Sequence, residues 1–288
     1  MKRRRYAVGG KSVEKYQPCR SGAFFHVEEI KNMVKTDNRK ALMPLFEGFE
    51  DSVLISCAEG RTGICHCDDP DAPTAGVIEA GDFYFTAGDP AFAREAFEIA
   101  KGNSEAVFMP ASEGWIKALT GLGEGIITTT RYRTSPPEKY DIDKISKLAD
   151  VSEFADYKLE MISDRYYAQA LEAEWSWAFV GNFLDYKDFS ENAFGCCITH
   201  EGRLICAASC YSVYSRGVEV EIATHPDYRR KGLATIAGAA FIAECVRRGL
   251  RPHWDAANTM SLKIASKFGY TLKEEYTALC FDEGEKSD

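Results

Sequence analysis

The stretch Val218-Glu219-Val220-Glu221-Ile222-Ala223-Thr224-His225-Pro226-Asp227-Tyr228-Arg229-Arg230-Lys231-Gly232-Leu233-Ala234-Thr235 decides how this chain is read. An alternating, strand-like run ends at Thr224, Pro226 and Asp227 turn the chain, and a helix is expected to open over the basic segment that follows. The first N–H groups of a helix have no partner inside it, and the helix dipole adds roughly half a positive charge at that end. Gly232 lets a ligand approach this backbone closely. Arg229, Arg230 and Lys231 are opposed by the dipole, so three cations there cost stability unless an anion compensates. A diphosphate fits these features. The chain contains neither GxxxxGK[ST] nor GxGxxG, so the grip is of another kind.

Upstream of the turn, Glu219 and Glu221 share one face of the strand by its period of two, with Val218, Val220 and Ile222 on the other. Repulsion between the two carboxylates raises the proton affinity of one where the face is partly buried. That is what a general base near neutral pH requires. A simply wetted face is the alternative.

Working outward, the second half reads as a strand at 157–162, two helices over 163–188, strands at 194–199, 203–214 and 218–224, and a helix at 229–248 stopped by Gly249. A strand at 251–255, a helix at 261–268 ended by Gly269, and strand structure over 270–281 complete it. The first half mixes strands at 52–57, 61–67, 76–78, 83–86, 106–109 and 125–132 with helices at 91–100 and 113–122. The polar turn Thr134-Ser135-Pro136-Pro137-Glu138-Lys139 marks the expected boundary, giving domains 1–145 and 146–288, with a short linking helix at 142–148.

The second half resembles the GNAT superfamily of acyl-CoA-dependent N-acyltransferases. Arg229-Arg230-Lys231-Gly232-Leu233-Ala234 matches its [QR]xxGx[GA] signature, and Asn258, Ser261, Ala265, Lys267, Phe268, Gly269 and Tyr270 resemble its second motif. More narrowly, 224–235 with Trp254-Asp255-Ala256-Ala257-Asn258 is similar to the branch that includes the zwittermicin A resistance acetyltransferase. The resemblance implies an α+β, α/β/α layered fold with a mixed, mainly antiparallel sheet. The smaller first domain is expected to be a degenerate copy, since 105–122 repeats the strand-then-helix pattern of 251–268 but lacks the signature.

The same resemblance implies acetyl-CoA as co-substrate, gripped by Ile222, Ala223, Thr224, Arg229, Arg230, Lys231, Gly232, Leu233, Ala234, Thr235, Asn258 and Ser261, and no metal. It implies direct attack of a primary amine of a small molecule, an aminated antibiotic among the options, on the thioester. Glu219, Glu221 and His253 are the candidate bases; a lone histidine is as readily structural. Asp255 either orients a neighbour or caps a turn. Asn258 bonds the pantetheine arm, caps the next helix, or does both. The tyrosine that many relatives use as acid is replaced by Ala265, leaving Tyr270, Tyr276, Ser261 or water. That departure keeps a non-catalytic acyl-CoA sensor open as an alternative, beside a protein N-acetyltransferase.

Composition bounds these readings. The chain has 288 residues, 45% of them hydrophobic and 27% charged, as folded globular chains do. Its net charge of −9 disfavours nucleic acid and anionic membranes as partners and favours a cationic acceptor. The basic start Lys2-Arg3-Arg4-Arg5 has no apolar stretch behind it, and the apolar run 234–243 is too short to span a bilayer. A cytoplasmic protein is expected, with its oligomeric state open. The ten cysteines, Cys19 apart, sit mostly in apolar runs, as reduced core thiols do. Cys65-His66-Cys67-Asp68-Asp69 lacks the paired CxxC spacing of zinc sites and reads as a strand with Ile64 and the thiols packed inward.

Overall fold

The computed structural model describes residues 32–282 and a small ribbon, β1 (Ala7–Val8) paired with β2 (Lys11–Ser12). Residues 1–31 and 32–288 separate into two units, and every element from β3 onward belongs to the second. Lys2 to Arg5 and Cys19 lie outside the described residues.

The first half supplies β3 (Val34–Thr36), α1 (Arg39–Leu42), α2 (Ser52–Ala58), β4 (Ile64–Cys67), β5 (Ala75–Ala80) and β6 (Phe83–Gly88). It continues with α3 (Ala93–Ala100), β7 (Val107–Pro110), α4 (Glu113–Thr120) and β8 (Ile126–Ser135). The strand expected at 52–57 is helix α2. Asp51 caps it by accepting the Val53 N–H at 2.8 Å, and Val53, Leu54 and Cys57 are buried while Ile55 faces out, a helical spacing. In β4 the expected inward packing of Ile64 also fails. Cys65 and Cys67 share one face and are buried in the core, whereas on the other face His66 is buried beside Glu79 and Ile64 is exposed.

The second half runs α5 (Ile142–Leu148), β9 (Tyr157–Met161), α6 (Asp164–Leu171), α7 (Glu174–Trp177), α8 (Tyr186–Asn192), β10 (Gly195–His200), β11 (Arg203–Tyr214) and β12 (Gly217–Thr224). Then come α9 (Leu233–Arg247), β13 (Arg251–His253), β14 (Asp255–Ala256), α10 (Thr259–Lys267) and β15 (Thr271–Phe281). Three short helices thus occupy the stretch read as two. Helix α9 opens at Leu233, so the basic run precedes it as a loop.

Two mixed, mainly antiparallel sheets result, ordered β13-β12-β11-β10-β9 and β14-β8-β15-β7-β6-β5-β4-β3. Only β6–β7 and β12–β13 are parallel among the described strands. The fold is α+β. The last strand, β15, crosses back to fill the first half's sheet between β7 and β8, so the division at 145/146 cuts through shared hydrogen bonding.

The strand expected at 251–255 is split. β13 pairs with Gly217, Val218 and Glu219 of β12, and β14 then leaves to pair with β8 in the other sheet. Buried Trp254 marks the break, packed against Phe268 and Tyr270. Among the described residues, the remainder of that edge of β12, from Val220 to Thr224, has no strand beside it. On the other side of β12, a bulge at Tyr211 shifts the pairing between Cys210 and Ser212. The bulge turns Tyr211 into the first half's core beside Phe83, where its Oη donates to the Ala80 carbonyl and accepts the Asp82 N–H.

Candidate active site

The parting of β13 from β14 opens a cavity of about 1220 Å³ along the unpaired edge of β12. One end is built from backbone. The loop before α9 curls through left-handed Arg230 (φ 62°) and Gly232 (φ 84°), and no side chain caps the helix. The orphan donors of the first turn therefore stay available to a ligand. A Cβ on Gly232 would meet no protein atom within 4 Å, so this backbone faces open space. Arg229 Nε donates to the Thr224 carbonyl at 3.3 Å and ties the loop to the strand end.

This end collects the residues expected to hold the coenzyme. Ile222, Ala223, Thr224, Arg229, Arg230, Gly232, Leu233, Ala234, Thr235, Asn258 and Ser261 all line the cavity. Lys231 does not, its ammonium lying 4.8 Å above the Tyr228 ring instead. Asn258 caps α10 by accepting the Ser261 N–H at 2.9 Å, which leaves its amide nitrogen for a ligand. A cradle of free N–H donors, flanking arginines and an unpaired strand edge fits a diphosphate joined to an extended amide-bearing arm.

The other end is built from side chains. Glu219 is buried, with Oε1 accepting the Asp255 N–H at 2.8 Å and Oε2 bonded to Ser52 Oγ. Burial first, then the negative charges of Asp51 and Asp255, push its pKa up to about 8. Glu221 is pushed up to about 7 by burial, with Arg131 pulling it down and Asp82 pushing it further up. At neutral pH Glu219 therefore mostly holds a proton, while Glu221 is poised between its two forms. Of the pair, Glu221 is the better matched to accept a proton near pH 7.

The first half contributes Asp51, Asp82, Phe83, Glu105 and Arg131 to this wall. Arg131 is buried, lies 4.9 Å over the Phe83 ring and donates through Nε to Asp255 Oδ2 at 2.9 Å. Tyr276 Oη donates to the same oxygen at 2.5 Å. Asp255 thus orients Arg131 while its own backbone N–H holds Glu219. Asp51, which caps α2, has its pKa raised to about 6, chiefly by burial and then by Asp255.

His253 is not brought into the cavity. Its Nε2 lies 2.8 Å from Tyr214 Oη, and burial followed by the Arg251 charge depresses its pKa to about 4. Ala265 is buried in the core, Tyr270 donates to the Pro252 carbonyl and Tyr276 to Asp255. Of the possible acids, Ser261 alone lines the cavity, its Oγ accepting from Trp254 Nε1 at 2.9 Å.

The first-half residues were invisible from sequence, since Asp51, Asp82 and Arg131 reach Glu219 and Glu221 only through folding. A local signal existed for one of them: Asp51-Ser52 before an apolar run is a helix-start pattern. At the strand expected around Cys65 to Cys67, no three metal-binding side chains come together among the described residues, and His66 Nε2 lies 3.4 Å from Glu79.

Fold and cavity together are those of an acetyltransferase whose sheet parts between β13 and β14 beside an uncapped helix start. A family model for GNAT acetyltransferases matches residues 43–279, and the chain belongs to that family. It is similar to a GCN5-related N-acetyltransferase-like protein from Streptococcus suis, 32% identical with a TM-score of 0.80, over 85% of this chain and 99% of that one. It also matches the uncharacterized N-acetyltransferase YdfB of Bacillus subtilis, 32% identical over 95 residues, which is 32% of this chain and 36% of that protein. That alignment spans about a third of the relative's length. A tandem GNAT protein from the clavulanic acid biosynthesis pathway shares the fold at 12% identity and a TM-score of 0.50, over 86% of this chain and 97% of that one.

Proposed function

We propose that this chain moves an acetyl group from acetyl-CoA to a primary amine of a small molecule, both substrates being held in one cavity. The carrying observation is the continuity of that cavity, from the uncapped start of α9 to the Glu219 and Glu221 carboxyls. The coenzyme supplies an acetyl thioester when bound. Backbone N–H groups at 232–234 and the side chains of Arg229 and Arg230 hold its diphosphate, and the free edge of β12 from Val220 to Thr224 aligns its arm. Glu221 takes the proton of the incoming ammonium at its carboxylate, and Glu219, protonated, keeps a second negative charge away from it.

The acceptor wall carries Asp51 and Asp82 beside an arginine already paired with Asp255, which favours a cationic amine. The resemblance of 224–235 and 254–258 to the zwittermicin A resistance branch supports a small-molecule acceptor. We read the chain as two GNAT-like halves, 1–145 and 146–288, with the first serving the acceptor side.

Calorimetry with acetyl-CoA and thiol release across an amine library test this. Binding with turnover on a cationic amine is expected. Absence of binding at millimolar acetyl-CoA overturns the reading, and tight binding without turnover on any amine overturns its catalytic part.

A further inference from the structure

Helix α2 and strand β4 are joined by a turn, residues 59–63, and the two elements bring Cys57 and Cys65 together beneath it. Their Sγ atoms lie 3.6 Å apart, and both residues are buried. One guanidinium serves both sulfurs: Arg39 Nη1 donates to Cys57 Sγ at 2.8 Å and to Cys65 Sγ at 3.4 Å. Further bonds to the carbonyls of Cys57, Thr62 and Gly63 fix that guanidinium in place. A part-buried cation held against two neutral thiols is poorly matched, whereas a thiolate in the pair balances it. The contrast with the other core thiols supports this. Burial pushes Cys196, Cys206 and Cys210 up to about 12, while the Cys65 hydrogen bond and the Arg39 charge draw Cys57 down.

We propose that Cys57 and Cys65 form a redox pair, closed to a disulfide by a peroxide and reopened by a small thiol, and that its state sets the acceptor end of the cavity through α2. In the first step the Cys57 thiolate attacks one peroxide oxygen, the O–O bond breaks and hydroxide leaves, giving a sulfenic acid. Cys65 Sγ then attacks the Cys57 sulfur, the S–S bond forms, the S–O bond breaks, and the oxygen departs as water with the Cys65 proton. The two sulfurs lose two electrons together, and the peroxide is reduced to two waters. Two equivalents of thiol reverse the bond and leave as their own disulfide.

Helix α2 couples this chemistry to the active site. Its cap Asp51 lines the cavity, and Ser52, at the helix start, is bonded to Glu219. Closing the sulfurs from 3.6 Å to roughly 2.05 Å draws the far end of the same helix toward β4. A displacement of about 1 Å at a catalytic constellation costs up to roughly a hundredfold in rate.

The test uses the full chain, reduced, then treated with hydrogen peroxide, alkylated and digested with trypsin, which cuts at Arg61 between the two cysteines. A cross-link between peptides 41–61 and 62–94, two hydrogens lighter, reversible by dithiothreitol and retained in Cys67→Ser, is expected. It should vanish in Cys57→Ser and in Cys65→Ser, with Cys65→Ala as the second variant should the serine fail to fold. Oxidation elsewhere while Cys57 and Cys65 stay alkylatable, or a cross-link that persists in the Cys65 variants, overturns the pair. The coupling rests on the proposed acetyl transfer and is read separately: peroxide should slow amine acetylation at least about fivefold in the parent and not in Cys65→Ala. An unchanged rate in a cross-linked enzyme overturns the coupling alone, and peptide mapping stands whether or not any amine is acetylated.

Discussion

The two ends of the cavity are made of different materials. The end at the start of α9 is backbone: uncapped N–H groups, a left-handed Arg230 and Gly232, and the free edge of β12, all within one continuous stretch of chain. The other end is side chain: Glu219 and Glu221 from β12, Asp255 from β14, Arg131 from β8 and Asp51 from the cap of α2. Backbone geometry is set locally and tolerates change in most neighbouring side chains. A cluster of buried charges depends on every member, because each one sets the proton affinity of the next. Substitutions at the two ends should therefore separate cleanly into binding effects and chemical ones.

The largest expected effect is at Glu221. Replacing it with glutamine should lower kcat by about 10²- to 10⁴-fold, the usual worth of a general base, with the acetyl-CoA Kd unchanged. A rate within a factor of about three of the parent in steady-state assays would remove Glu221 from that role and break the contrast.

Arg131→Met comes next. It leaves Asp255 without its buried cation, for which about 3 kcal/mol of stability should be lost. Because Arg131 holds Glu221 down, its removal raises that carboxyl, and the acid limb of the pH–rate profile should move to higher pH. A lowered Tm with an unmoved limb would make Arg131 purely structural.

pH dependence of stability isolates Glu219. Its proton is held more tightly in the folded chain, about 8 against an ordinary 4.5, so its contribution is complete below pH 4.5 and lost as pH rises toward 8. The parent should lose Tm steadily over that window, and Glu219→Gln should lose less. Parallel curves for the two proteins would place the raised proton affinity elsewhere.

The smallest effect is expected at Gly232. Gly232→Ala strains a left-handed residue by about 1 kcal/mol and puts a methyl into open space. Acetyl-CoA binding should weaken about tenfold by calorimetry while the pH profile keeps its shape. A shifted profile would show that the two ends are not independent.

Much of this is legible in the order of residues. The strand, turn and helix around 218–248 follow from it with one error, the helix start, because Arg230 and Gly232 adopt left-handed backbone that keeps 229–231 in a loop. The pairing of Glu219 and Glu221 on one face also follows from period alone, and both line the cavity. His253 is a candidate by residue type alone, which says nothing about which way its ring turns; the ring lies against Tyr214 and does not line the cavity. Helix α2 looks like a strand because Val53-Leu54-Ile55 is β-like in composition, and the Asp51 cap outweighs that propensity.

The sequence by itself determined the acetyltransferase family, through the signature at 229–234, and the strand, turn and helix that carry that signature, because these depend on short-range backbone geometry and on apolar periodicity. Tertiary structure alone decided that β14 leaves β13 to open the cavity, that β15 returns to the first half's sheet, and that Asp51, Asp82 and Arg131 surround the two glutamates. The physical reason is range. A hydrogen-bonded turn is specified by neighbours along the chain, whereas the desolvation and charge that set Glu219 and Glu221 come from residues such as Asp51 and Arg131, far away in sequence.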